Sequence, residues 1–408
     1  MITLSYRVVG LTVCLFCIAA TSAAQNWPQW RGANRDGVVT GFVTPERWPS
    51  KLRLDWEVDV GDGIDATPAL VDDRLYVFAG QGESESLVCL DARDGSEIWR
   101  DTYETIAVKG AARSHAGPRS SPAVASGKVV ALGVGGVLSC FRSSTGELLW
   151  RKTEFPDDFP AYYAASSPMI LDGLCIAQLG GKETGAVVAY DLASGAERWR
   201  WEGDPPAYAS PVAMNVSDST QIVLLTEENL VGISAADGNL LWQTPFPVPR
   251  MSTNSATPVV HGQMVIYSAQ KRGTRAVRIE RDADRFRVEE VWRNEDLSTA
   301  FNTPVLKDEH LYGLAESGKL YCLDTRNGAV TWTADARHER FGAIVSAGST
   351  LFALPSGGPL IVYEANPIEY AELTRYPISD TPIYAYPVIA RSRVYIQDQE
   401  TLTAWSFE

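Results

Sequence analysis

The stretch at residues 87–99, LVCLDARDGSEIW, constrains the fold more than any other part of the chain, because it recurs. Altered copies read LSCFRSSTGELLW to Trp150, VAYDLASGAERW to Trp199, VGISAADGNLLW to Trp242 and LYCLDTRNGAVTW to Trp332. Each is a short apolar strand, a turn centred on glycine, and a second strand that reaches Trp four residues after the glycine. Strand–turn–strand content at a period of roughly 40–50 residues predicts a β-propeller. Asp91, Asp191 and Asp324 stand four residues before Gly95, Gly195 and Gly328. A short acid there can accept from turn amides, and glycine adopts a positive φ at low steric cost. The repeated Trp is expected to face inward from each outer strand and fill the wedge between neighbouring blades.

Two further patterns give the blade number. Thr67-Pro68, Ser121-Pro122, Ser167-Pro168, Ser210-Pro211, Thr257-Pro258, Thr303-Pro304 and Tyr386-Pro387 read as blade openings, since Pro is tolerated at the first residue of a strand. Eight second strands follow polar turns: RLYVFAG, KVVALGV, LCIAQLG, QIVLLTE, MVIYSAQ, HLYGLAE, TLFALPS and RVYIQDQ. Trp56, Trp99, Trp150, Trp199, Trp242, Trp292 and Trp332 form a ladder with intervals of 43, 51, 49, 43, 50 and 40 residues. The expectation is an all-β chain with one eight-bladed propeller of four-stranded antiparallel blades over residues 52–408. Blade five replaces the glycine turn with a longer charged hairpin at residues 278–287, and blade seven lacks both the opening Pro and the Trp. Its outer strand is expected within residues 370–376. Blade eight shows only three strands, so LRLDWEVDV at residues 52–60 is predicted to close it and remove an open sheet edge.

Residues 25–51, which include NWPQWRGANRDGVVTG, form an extended arm without repeat character. Residues 1–24 carry Arg7, an apolar run at residues 8–20 and Ser22-Ala23-Ala24, the pattern of a secretory signal peptide cleaved after Ala24. Val13 before Cys14 and Phe16 before Cys17 argue against a lipid anchor, and no other segment could serve as a transmembrane span. The expected location is the periplasm or the exterior. The formal charge of −14 becomes −15 once Arg7 is removed, which disfavours nucleic acid as a partner. Cys89, Cys140, Cys175 and Cys322 are expected as small buried hydrophobes rather than disulfides. A monomer is expected.

The Pro-headed openings and the D-x-x-x-G-x-x-x-W hairpin resemble the pyrroloquinoline-quinone (PQQ) repeat of quinoprotein-dehydrogenase-type propellers. WPQWRG resembles the opening of secreted, stand-alone members, and the assembly factor BamB is a cofactor-free member. The resemblance implies the fold over residues 52–408 and two functions. The first is a BamB-like, non-catalytic scaffold for an envelope protein or a small anionic or planar ligand, with no cofactor. The alternative is an alcohol or sugar dehydrogenase using PQQ with Ca²⁺. The dehydrogenases are longer and usually carry a vicinal Cys pair and a Ca²⁺ set with an Asp base. No Cys-Cys is present, and no such set can be placed.

In a propeller the loops that enter the inner strands ring the channel mouth, where ligands usually bind. Arg113, His115 and Arg119 share one such loop. They could hold a carboxylate or phosphate, or instead bond loop carbonyls and pack the funnel. Tyr162, Tyr163, Tyr208, Tyr384 and Tyr386 could stack on a planar ligand or fill the channel. Arg250, Asn254, Asn302 and Arg340 complete the candidate mouth. His115 and His338 lie in channel loops, His261 and His310 in short turns, and they show no zinc-ligand spacing. Asp62, Asp65 and Asp380 are the acids available for a Ca²⁺ site.

Overall fold

A computed structural model describes residues 25–62, 65–249 and 252–408. The predicted signal peptide and its cleavage point lie outside the described residues. Among the described residues eight sheets follow one another around an axis, seven antiparallel sheets of four strands and one of five in which a short parallel strand joins four antiparallel ones. Each blade descends along an inner strand from the mouth and ends on an outer strand. Blade one, for example, runs Ala69–Val71, Arg74–Gln81, Ser84–Asp91 and Glu97–Glu104. The closing strand is Arg53–Asp59, which pairs antiparallel with Thr401–Ser406 in the register Arg53↔Ser406 to Asp59↔Thr401. Blade seven takes Glu372–Tyr376 as its outer strand.

The turn signature works as an inter-blade latch. Asp91 accepts the Arg93 amide at 2.9 Å, Asp191 the Ser194 amide at 2.9 Å, and Asp324 the Arg326 amide at 2.9 Å. The glycine that follows has φ of +75° at Gly95, +71° at Gly195 and +73° at Gly328. It lies against the Trp of the preceding blade, so a Cβ on Gly238 would meet the Trp199 ring at 2.7 Å. The indole N–H of that Trp donates to a carbonyl in the same turn. The pairs are Trp56 to Ala92, Trp99 to Ser143, Trp150 to Leu192, Trp199 to Ala235 and Trp292 to Thr325. Trp242 faces blade five, which lacks the glycine turn. Its indole donates instead to Gln221 Oε1 in its own blade at 2.6 Å. Around these indoles, apolar residues of adjacent blades merge into shared clusters, such as Val130, Cys140 and Trp150 with Cys175, Val188 and Tyr190. Among the described residues Cys89, Cys140, Cys175 and Cys322 are buried and free.

The opening motif forms a second ring. The hydroxyl before each opening Pro accepts the backbone N–H of the equivalent residue one blade back: Thr67 to Ser121, Ser121 to Ser167, Ser167 to Ser210, Ser210 to Thr257 and Thr257 to Thr303. Blade seven has no such residue, and the Tyr386 hydroxyl reaches across it to accept from Thr303 at 3.1 Å. The Tyr386 amide then donates to Thr67 at 2.8 Å, closing the circle. Every member is buried, so each of these amides needs the acceptor it has.

The N-terminal arm runs inside the channel. Trp27 bridges antiparallel to Leu70 on the inner strand of blade one, and the Val124 amide of blade two donates to the Pro28 carbonyl. After a turn, Val38–Val39 descends parallel to Gly342–Ala347 and becomes a fifth strand on blade seven. The turn lies within the opening ring. Arg31 donates to the carbonyls of Thr303 and Pro304 in blade six, and Arg35 to those of Ser167 and Pro168 in blade three. The channel is therefore stoppered by its own chain immediately beneath the mouth.

Candidate functional site

The mouth is a shallow bowl floored by that plug and walled by the loops that enter the inner strands. One side is aromatic. Phe301 and Phe341 join through an isolated parallel bridge, and their rings stack at 4.3 Å with an interplanar angle of 7°. The exposed Arg340 guanidinium lies 5.0 Å from the Phe301 centroid and 5.7 Å from that of Phe341. Tyr384 meets Phe341 edge-on at 5.5 Å and His115 edge-on at 4.6 Å. Burial first, then the nearby Asp65 and Glu339 charges, raises the Tyr384 hydroxyl pKa above its ordinary value.

His115 comes from the six-residue 3-10 turn Gly110–His115, and its Nδ1 lies 2.6 Å from Asp65 Oδ2. Gln399 Nε2 donates to the other Asp65 oxygen at 2.9 Å. Both carboxylate oxygens of the innermost mouth acid are thus engaged. Asp62 and Asp380 are exposed at the rim. Among the described residues no group of three His, Cys, Asp or Glu side chains could hold a metal ion. That donor set does not fit a Ca²⁺–quinone centre.

The two arginines of the loop divide the roles that the sequence leaves open. Arg119 is a strut. Its Nε and Nη2 donate to the His115 carbonyl at 3.0 and 2.5 Å, and its Nη1 donates to the Tyr162 carbonyl of the next blade. Burial lowers its pKa, partly offset by Asp65 and other neighbours. Arg113 is exposed and makes no side-chain hydrogen bond or ion pair among the described residues.

The remaining candidates also separate. The Tyr208 hydroxyl accepts the Tyr162 amide at 2.9 Å and so belongs to the frame, and burial pushes its pKa up to about 12. Tyr162 itself is 39% exposed on the bowl surface. Tyr163 is buried, stacks on Phe159 at 4.6 Å, and accepts the Lys109 amide at 3.0 Å. Asn254 is buried and donates to the Thr226 and Phe246 carbonyls, and Asn302 is buried and donates to Leu314. These three brace loops from behind rather than line the bowl, and Tyr386 belongs to the ring beneath it. Arg250 lies outside the described residues. His338 is half-buried, and burial lowers its pKa.

Reading by residue type missed Phe301 and Phe341. Both stand at the end of their loops, in AFNTP and ERFGA, next to the polar residues that drew attention. An aromatic residue in each of two otherwise mostly polar loops was the available signal.

The pattern of the family described as outer membrane protein assembly factor BamB matches residues 53–200 and 83–334. A quinohemoprotein alcohol dehydrogenase of Pseudomonas putida is 29% identical over 178 residues, covering 42% of this chain and 24% of that protein. BamB of Shewanella oneidensis is 22% identical over 246 residues, covering 57% of this chain and 60% of that protein. The chain thus spans about a quarter of the first relative's length and 60% of the second's. Among solved structures, BamB from Moraxella catarrhalis superposes with a TM-score of 0.63 at 14% identity, covering 88% of this chain and 98% of that one. A quinohemoprotein alcohol dehydrogenase from Pseudomonas putida HK5 gives 0.67 at 15% identity, covering 94% and 80%. Likeness at such identity establishes the propeller and no activity.

Proposed function

Given that the chain belongs to the PQQ-repeat family described as outer membrane protein assembly factor BamB, we propose that it is a non-catalytic binding scaffold whose working surface is the mouth. The carrying observation is the exposed Arg340–Phe301–Phe341 stack, with an exposed and unpaired Arg113 in another mouth loop, at a channel stoppered by residues 27–37. Stacked rings offer a flat apolar face, and guanidiniums free of carboxylates offer bidentate donors. Such a surface suits a polypeptide segment with aromatic and acidic side chains, or a small planar anion. The predicted leader and the BamB relatives support placing it in the cell envelope.

The second reading, a quinoprotein dehydrogenase, is favoured by the alcohol dehydrogenase relatives. Against it, no group of three His, Cys, Asp or Glu side chains that could hold a metal ion gathers among the described residues. One experiment addresses both. A fluorescent peptide of alternating Asp and Phe is titrated by anisotropy into wild type, Arg340→Ala and Phe301→Ala. A loss of about tenfold or more is expected in each variant, the scale of a charged hydrogen bond for Arg340→Ala and of a lost aromatic contact for Phe301→Ala. In parallel, PQQ and Ca²⁺ are added with ethanol or glucose and an electron-accepting dye. Quinone-dependent turnover overturns the scaffold reading, and equal peptide binding by all three proteins removes the mouth as its site.

A further inference from the structure

The arm starts on the face of the ring opposite the mouth, and Gln25 is already tied into the fold there. Gln25 Oε1 accepts the backbone amide of Arg391, in the turn between Val388–Ala390 and Arg393–Gln397 of blade eight. The next two residues are pinned to blade one. Asn26 Oδ1 accepts the Asp72 amide at 3.1 Å, and Trp27 exchanges backbone hydrogen bonds of 2.7 and 2.8 Å with Leu70. The other end of the Gln25 carboxamide is idle. Its Nε2 makes no hydrogen bond among the described residues, and it lies where a Cβ on Gly41 would meet it at 2.9 Å. Gln25 lines two open cavities of about 320 and 340 Å³, so its side chain borders solvent.

Gln25 is also the residue that predicted cleavage after Ala24 makes the first of the exported chain. Cleavage gives it a free α-amine, and attack of that amine on its own side-chain Cδ closes a pyrrolidone ring. The new C–N bond forms as the carbonyl electron pair moves onto Oε1. A proton then passes from the attacking nitrogen to Nε2, the Cδ–Nε2 bond breaks, and ammonia leaves with that electron pair as the carbonyl re-forms. No oxidant or second reactant enters. Negative charge develops on Oε1, the atom to which the Arg391 N–H already donates. A donor fixed in place at a developing oxyanion lowers the barrier. The pinned neighbours Asn26 and Trp27 hold Gln25 at that donor, which removes freedom that a loose terminus would lose on reaction. The atom expelled is the one the fold leaves unbonded, and the atom kept is the one that anchors the terminus.

We propose that Gln25 is a modification site: once the leader is removed it cyclises to pyroglutamate on the Arg391 amide. The mature chain then starts with a neutral terminus, without a free amine, fastened to blade eight. This rests on the predicted leader and is independent of what the mouth binds.

The test has two arms. In the first, the whole mature chain is released in vitro from a cytosolic fusion by a protease that cuts directly before Gln25. Intact mass then follows the loss of ammonia, about 17 Da, with the free peptide of residues 25–31 as reference. The folded protein should cyclise about tenfold faster than the peptide or more, a fraction of what one preorganised donor to an oxyanion is worth. A folded rate equal to or below that of the peptide overturns the proposal. In the second arm, protein recovered after export should carry the cyclised residue at position 25, read by mass of its N-terminal peptide. An exported chain that keeps an uncyclised Gln25 overturns the proposal with the leader intact. An exported chain that starts at another residue overturns it together with the predicted cleavage, and the N-terminal peptide tells the two failures apart.

Discussion

The phenol of Tyr386 in blade eight accepts the amide of Thr303 in blade six at 3.1 Å, spanning a blade that contributes nothing to the opening ring. Its hydroxyl also lies 3.5 Å from Arg31 Nη1, and its ring packs edge-on against Trp30 at 4.7 Å. Tyr386→Phe should keep the packing and strand the Thr303 amide. We expect a loss of about 1–3 kcal/mol, the cost of a buried donor left unsatisfied, measured by urea unfolding. A variant as stable as wild type would show that the ring does not need closing across blade seven.

Arg119 and Arg113 should behave oppositely. Arg119→Ala removes the bonds that tie the His115 and Tyr162 carbonyls together, and should cost about 1.5–3 kcal/mol. Arg113→Ala touches no partner and should change stability by no more than about 0.5 kcal/mol, while weakening binding of the acidic peptide. Thermal melts and anisotropy on the two variants check both halves. A stable Arg119→Ala would make Arg119 a ligand-facing residue after all.

The latch between blades predicts a graded series. Trp199→Ala should cost about 3–5 kcal/mol, as large aromatic truncations in a core do. Gly238→Ala should cost more than about 1 kcal/mol, because φ is +76° and the new methyl collides with Trp199. His261→Ala loses only a solvent-exposed contact with Glu309 and should lie within about 0.5 kcal/mol of wild type. Chemical denaturation midpoints rank the three, and any other order contradicts the latch.

Two kinds of carboxylate give pH dependences of opposite sign. Hydrogen bonds from Arg93 and Arg326 hold Asp91 and Asp324 at about 2, below an unfolded value of about 4. Their contribution is present above pH ~4 and is lost as pH falls toward ~2. Asp91→Asn and Asp324→Asn should flatten that acid limb of stability. Glu85 is buried, accepts from the Tyr103 hydroxyl and the Val134 amide, and has its pKa raised chiefly by burial. Its contribution is present below the unfolded value and is lost as pH rises through the raised folded value. Glu85→Gln should therefore remove a decline in stability on the alkaline side of pH ~4. Urea midpoints from pH ~2 to ~8 read both effects, and an unchanged slope in Glu85→Gln would mean that Glu85 titrates normally.

The sequence by itself determined the propeller, its eight blades and the strand that closes it. Those features rest on local chemistry repeated at a fixed period. The glycine turns need positive φ, the indoles need a wedge to fill, and the opening prolines tolerate only a strand start. Each is visible in one window and confirmed by the next copy. The blade-five and blade-seven irregularities were legible as broken copies for the same reason. What only the tertiary structure decided lies between blades, where residues far apart in the chain meet. Nothing in WPQWRGANR shows that two arginines will be buried in the channel, because no repeat partner exists to compare it with. Nor does the sequence show that Tyr386 will stand in for the hydroxyl missing from blade seven and accept an amide two blades away. The mouth divided in the same manner. Arg113 and Arg119 are the same residue type in one loop, yet one points to solvent and the other ties two carbonyls. Residue type sets what a guanidinium can bond, but only the curvature of the closed ring sets which acceptors come within reach.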